Sequence, residues 1–391
     1  MGKVACGLDV FIGQYGRGLK GCRLGLLSNQ ASLDSRLRPA KYVISQALPG
    51  QLKALFGPQH GHGGEDQDNM VETDHAVDPH LNLPVWSLYG HTREPTSEMF
   101  DSIDALIIDL QDVGTRVYTF ATTMFHCMRI AAALGKKIIV LDRPNPLGGT
   151  ILEGNLLQRE LFSFVGVFSL PMRHALTMAE MARIFQDAFL KDCDLEWVPM
   201  QGWKRSMLWH DTGLRWVMPS PNMPLAETAQ VYPGQVLWEG TNISEGRGTC
   251  RPFEIFGAPF LEPKAVTQKL VPEAMNGCAL QALAFRPTFH KWQGALCRGF
   301  MIHVTDKHTF RPYFTSIALL GTLVTLYGEE FAWKSPPYEY ESERMPIDLI
   351  LGDSSLRMQI EAGRDVSQIK EEWVDALEDF LEWRTPYLIY G

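Results

Sequence analysis

The sequence predicts a doubly wound, parallel α/β sheet followed by a smaller α+β auxiliary domain, and three observations carry that expectation. Short, near-continuous apolar runs alternate with helical stretches through the first half of the chain, as strands buried on both faces do when helices cross between them. Each of five such runs empties into a polar turn rich in Gly, Pro or Asn. The 391 residues also exceed what one ordinary core organises, so the length calls for at least two domains.

Taken in order, the strands are expected at 23–28, 52–56, 84–88, 105–110 and 137–141, with helices at 39–48 and 119–134 and a short turn after Pro95. A helix at 177–190 and a strand at 195–199 follow. The stretch 218–257 is dense in Pro, Gly and Asn with little periodicity, and reads as a long ordered loop joining two domains. Beyond it the pattern gives a helix at 263–274, strands near 279–286 and 300–305, and helices at 312–327, 355–362 and 366–383.

Composition narrows the function. The net charge of −9, with no long Lys/Arg block, argues against a nucleic-acid partner. No apolar run reaches the 18 residues of a membrane span, so no membrane partner is expected. The seven cysteines are scattered and none form a C-x-x-C pair, so they read as reduced thiols, not zinc or redox ligands. The start Met1-Gly2-Lys3-Val4 lacks the apolar segment of an export signal, which gives the expectation of a cytoplasmic protein.

The turns after the strands hold the chemistry. They read Asn29-Gln30, Gly57-Pro58-Gln59-His60-Gly61, Tyr89-Gly90-His91, Gln111-Asp112-Val113-Gly114 and Asp142-Arg143-Pro144-Asn145-Pro146. In open α/β sheets such turns line the ligand crevice. Neither a G-x-G-x-x-G nor a phosphate-loop motif follows the strands, so no dinucleotide or other cofactor is expected, and no G-x-S-x-G elbow exists for a serine triad. His60, His62, His75 and His80, with Glu65, Asp66 and Asp68 among them, contain an H-x-H pair but no third ligand at a recognisable spacing. A solvated polar loop with no metal is the expectation there.

Glycosidic-bond chemistry needs a protonated carboxyl beside the leaving oxygen and a second group that stabilises the anomeric centre. Glu65, Asp112, Asp142, Glu239 and Glu245 are the carboxylates available near the turns. Each has a structural alternative: Asp112 as a turn cap, Asp142 clamped to Arg143, and Glu245 paired with Arg247 inside its loop. Arg116, Arg143, Arg247 and Arg251 could fork onto an anionic substrate, and Tyr89, Tyr118 and Trp86 could stack on a sugar ring.

At these same segments the sequence resembles the exo-β-N-acetylmuramidases of the NamZ type. The stretches that carry the likeness are 55–61, 86–90, 109–119 and 141–146, then Pro219-Ser220-Pro221-Asn222-Met223-Pro224 and 231–252 with its Glu-Gly-Thr-Asn and Ser-Glu-Gly-Arg-Gly-Thr. The resemblance implies a Rossmann-like catalytic domain over 1–230 and a C-terminal auxiliary domain over 231–391 that lends its 239–254 loop to the cleft. It also implies release of N-acetylmuramic acid from the non-reducing ends of peptidoglycan fragments in cell-wall recycling. The lactyl carboxylate of that sugar gives the arginines a purpose.

In the family the strand-end motif reads Pro-Glu-His-Gly, with its glutamate as the catalytic carboxyl; here that position is Gln59. An amide transfers no proton near neutral pH, and an acid or base role is worth about 10²–10⁴-fold in rate. Gln59 and His60 are therefore expected to face the scissile linkage, with Glu65, Asp112 or Glu245 as substitute acid. Asn29, Tyr89, Gln111, Arg116, Tyr118, Arg143, Asn145, Asn222, Asn242 and Arg247 are the expected substrate-binding residues. The alternative is a carbohydrate-binding protein in which Gln59 has reduced or abolished hydrolysis.

Overall fold

The computed structural model describes residues 3–67 and 70–391, without the side chains of 15–17. Asp68 of the histidine-rich segment lies outside the described residues. Twelve strands are named among these: β1 (Leu24–Ser28), β2 (Leu52–Gly57), β3 (Ala76–Val77), β4 (Pro84–Ser87), β5 (Ala105–Asp109), β6 (Lys137–Leu141), β7 (Glu153–Leu156), β8 (Pro171–Arg173), β9 (Asp194–Val198), β10 (Ile255–Ala258), β11 (Cys278–Phe285) and β12 (Cys297–Val304).

Seven of them form the main sheet in the order β3-β4-β2-β1-β5-β6-β9, parallel throughout except for β3 on the edge. The chain builds outward from β1 in one direction, then returns to pair β5 on its other side. The sheet is covered on both faces, which explains the unbroken apolar runs. Leu27, Leu106, Ile108, Ile138 and Val140 pack into one core with helices Phe120–Ala133 and Met178–Phe189. Their neighbours Leu26, Ile107, Ile139 and Leu141 point the other way, into a core shared with helix Ala40–Ala47. Alternation along each strand thus feeds two layers of helices.

Helix Met178–Phe189 starts on a capping box: Thr177 Oγ1 accepts from the Glu180 backbone, and the Glu180 carboxylate accepts from Thr177 N–H. The C-terminal part holds an antiparallel sheet, β10-β12-β11, packed with helix Pro312–Leu326. Among the described residues no helix is long and apolar enough to cross a membrane.

Two expectations need correction. The stretch 218–257 is not simply a loop, because it contains helix Ala226–Gln235, a 3-10 turn Val236–Gly240 and part of β10. That helix is buried on nearly every side and carries Pro233, so it shows no amphipathic period. The helix expected over 366–383 is two, Val366–Glu371 and Val374–Trp383. The short β7–β8 hairpin has no alternating apolar pattern and was not foreseen.

Candidate active site

The end of β2 delivers Gln59 and His60 into a narrow cleft between the main sheet and the C-terminal part. Tyr118 and Thr119, at the start of helix Phe120–Ala133, form one wall, and Ser220, Asn222 and Tyr232 form another. Glu239, Arg247, Tyr338 and Glu339 close the far side. Gln59 is buried and both ends of its amide are used: Oε1 accepts from Thr119 Oγ1 at 2.7 Å, and Nε2 donates to Glu339 Oε1 at 3.1 Å. The other Glu339 oxygen accepts from Tyr89 Oη at 2.6 Å.

Glu339 is the carboxyl that the sequence reasoning missed. Burial disfavours its charge and, with the nearby Glu239, outweighs the hydrogen bonds from Tyr89 and Gln59, so its pKa rises to about 7. A carboxyl in that range holds a proton at neutral pH and can give it up. It sits 280 residues from Gln59 in the chain, in a Tyr338-Glu339-Tyr340-Glu341 turn closed by a Tyr338–Glu341 bridge. That stretch has no helical period and follows no strand of the main sheet. Its one signal is two carboxyls set between aromatic residues.

The second carboxyl of the cleft, Glu239, is ion-paired: Arg247 Nη2 lies 2.7 Å from Oε1, and Tyr338 Oη donates to Oε2 at 2.7 Å. Arg247 Nη1 is buried, lines the same space and has no hydrogen-bond partner among the described residues. Backbone strain gathers here as well. His60, Glu339 and Tyr340 all have φ in the left-handed region, at 73°, 45° and 68°. Non-glycine residues held there cost about 1–3 kcal/mol each, and such outliers cluster where a site must be pre-shaped. The space between these walls is only about 40 Å³, well below the ~300–1,000 Å³ of pockets that enclose small ligands.

The expected site residues fall into three groups. Gln59, His60, Tyr118, Asn222 and Arg247 line the cleft, and Tyr89 supports Glu339 from behind. A second group holds the frame. Asp112 accepts from Gly114 N–H at 2.6 Å and lies 3.3 Å from His174 Nε2, while the Asn145 amide bridges Leu176 and Leu147. Arg116 is buried and spends its guanidinium on the carbonyls of Asn155, Leu170, Ile350 and Leu351. Asn242 ties Glu330 to Ala332, and Asn29 reaches Pro219.

Glu245 belongs to this group too. Burial alone would raise its pKa, but Lys291 at 2.8 Å, His290 at 3.2 Å and Arg247 at 3.2 Å together hold it well below the usual carboxylate range. The Arg247 contact is an ion pair without hydrogen-bond alignment. Glu65, the third group, is exposed and does not line the cleft. Arg143 is clamped by Asp109, with bonds of 2.5 and 2.8 Å, and not by Asp142; it lines a separate cavity with Gln111. Among the described residues no three His, Cys, Asp or Glu groups converge as metal ligands, and His60 and His62 turn Nδ1 to the carbonyls of Asp66 and Ser28.

Comparison with known proteins agrees with this architecture. Residues 24–227 match the N-terminal model, and 230–390 the C-terminal model, of the exo-β-N-acetylmuramidase NamZ family. The peptidoglycan β-N-acetylmuramidase NamZ of Bacillus subtilis (strain 168) is 41% identical over 388 residues, covering 99% of this chain and 92% of that protein. The crystal structure of a DUF1343 family protein from Bacteroides fragilis NCTC 9343 superposes with a TM-score of 0.88 at 29% identity, over 100% of this chain and 99% of that one. A second DUF1343 protein from the same organism, 24% identical with a TM-score of 0.76 over the same shares, has the same fold. Two family models in series and a relative aligned almost end to end leave one assignment: the chain belongs to the NamZ exo-β-N-acetylmuramidase family.

Proposed function

We propose that this protein is a glycoside hydrolase that releases N-acetylmuramic acid, or a closely related sugar, from the non-reducing ends of peptidoglycan fragments, with Glu339 as the proton donor. The observation that carries it is the Glu339 carboxyl, raised to about 7 inside the cleft and held by Gln59 and Tyr89. The bond to be broken leaves an alkoxide unless its oxygen is protonated, and a carboxyl tuned near neutrality is suited to that transfer. Glu239, ion-paired with Arg247, supplies the second carboxyl such a site requires. The unpartnered Arg247 Nη1 supports recognition of a lactyl carboxylate, since an arginine edge already fixed by Glu239 offers a charge-assisted bond at little entropic cost.

Gln59 takes a different part from an acid. Anchored by Thr119, its amide orients the Glu339 carboxyl and keeps a neutral group where a second carboxyl would compete for the proton. Glu65 and Glu245 drop out as substitute acids, the first by its position and the second by Lys291 and Arg247, which hold it as a carboxylate.

The competing reading, sugar binding without cleavage, rests on Gln59 alone. A chromogenic 4-nitrophenyl β-N-acetylmuramide separates the two. The wild-type chain is expected to release nitrophenol, and Gln59→Glu to gain nothing like the 10²–10⁴-fold worth of an acid. An inert wild type that Gln59→Glu brings to life would favour the binding protein.

A further inference from the structure

A second cavity, of about 180 Å³, lies beyond the carboxyl ends of β1, β5 and β6. Leu33, Gln111 and Arg143 follow those strands and line it, and none of its residues line the glycosidic cleft. β1 and β5 are neighbours in the sheet, and it is between them that the strand order reverses. Open α/β sheets take their ligands at such a reversal, because the turns diverge there and leave a crevice.

Two buried polar atoms in its lining have no hydrogen-bond partner: Gln111 Oε1, on a side chain 2% exposed, and the indole Nε1 of Trp209, 5% exposed. Gln111 Nε2 already donates to the carbonyls of Asp112 and Pro144, so reversing the amide would only orphan the other end. Buried acceptors and donors are nearly always paired in folded proteins, and two exceptions on residues that line one cavity point to a ligand.

Charge narrows its class. Lys3, Arg36, Arg143 and Arg215 surround the space against a single Asp34. The Asp34 carboxylate is already taken by Arg38 and by the backbone N–H of Arg36 and Arg38. Arg143 is neutralised by Asp109, and Lys3 donates to the Ser35 carbonyl. The exposed guanidiniums of Arg36 and Arg215 make no ion pair or hydrogen bond among the described residues. Leu33, Leu214 and Val217 give the cavity an apolar wall.

We propose that this cavity is a second binding site, for a small hydroxylated anion of the sugar-acid or sugar-phosphate class. A ligand hydroxyl donates to Gln111 Oε1, a ligand oxygen accepts from the Trp209 indole N–H, and the anionic group sits at the mouth between Arg36 and Arg215. The apolar wall covers the C–H face of the ring. The site is independent of the assignment of Glu339, although both cavities share the 214–223 segment: Leu214 and Val217 face one, Ser220 and Asn222 the other.

Isothermal titration of the full chain at low ionic strength with glucose 6-phosphate, gluconate, inorganic phosphate and glucose tests the proposal. One of the two charged sugars is expected to bind once per chain, and which of them binds tells phosphate from carboxylate. The doubly substituted Arg36→Ala/Arg215→Ala chain, altered only at exposed positions, is expected to bind it at least tenfold more weakly. Trp209→Phe, which keeps the ring and removes the donor, should also weaken it, while Arg247→Ala in the cleft leaves it unchanged. The proposal is overturned if neither charged sugar binds, or if glucose or inorganic phosphate binds as tightly as the charged sugars. Binding that survives the double arginine change and is lost with Arg247→Ala would overturn it as well.

Discussion

In the proposed reaction Glu339 and Gln59 divide between them work that one carboxyl could not do. An isolated glutamate on the end of β2 would stand next to Glu339 and compete with it for a proton, and two carboxyls at hydrogen-bond distance split their titrations. With an amide in that place, burial and the nearby Glu239 push the Glu339 carboxyl up to about 7. Its acid form is the competent one in the proposed reaction, so kcat/KM should fall as pH rises through about 7. Tyr89→Phe removes a donor that favours the carboxylate, which raises the Glu339 pKa further and moves that alkaline limb to higher pH. A pH–rate profile of the variant checks the sign; a limb that stays where it was would separate Glu339 from the observed titration.

At the scale of elements, the cleft depends on how closely helix Ala226–Gln235 approaches helix Pro312–Leu326. Gly234 sits at the crossing, where an added Cβ would run into the Pro312 carbonyl and Ser316 Oγ. Gly234→Ala should therefore cost about 1–3 kcal/mol, as overpacked sites do, and the urea midpoint measures it. A loss near zero would mean the two helices have room to part. This crossing also shows where sequence reasoning reaches its limit. The parallel strands β1, β2, β4, β5 and β6 and their turns were legible because each is a short apolar run with a polar end. Helix Ala226–Gln235 was not, because a helix enclosed on every side loses the period by which helices are recognised. Gln59, His60, Tyr118, Asn222 and Arg247 could be listed from the turns. Their convergence with Glu339 could not, since that contact spans 280 positions and rests on a turn in the left-handed region. Arg116, Asn145 and Asn242 read as polar loop residues free for a ligand, yet their side chains are spent on backbone carbonyls and N–H groups of other segments.

At the scale of the molecule, two buried carboxyls tie stability to pH in the same sense. Asp142, buried beneath the C-terminal tail and bonded by Thr177, Ala179 and Tyr390, is pushed up to about 7 by burial, as Glu339 is. Both folded-state values lie above the ordinary 3.8 and 4.5, so the folded chain binds these protons more tightly than the unfolded chain does. Their contribution is complete below those ordinary values and is lost as pH rises through about 7. The urea midpoint should fall between about pH 5 and about pH 8, and fall less steeply in Glu339→Gln. The same glutamate decides the catalytic account, and the dependence of rate on the leaving group tests it most directly. A good leaving group such as 4-nitrophenolate departs without a proton, whereas a sugar alkoxide does not. Glu339→Gln should lose about 10²–10⁴-fold in kcat on a muramyl disaccharide and far less on the nitrophenyl glycoside. Equal losses on the two substrates, or none on the disaccharide, would contradict the assignment of Glu339 as the acid.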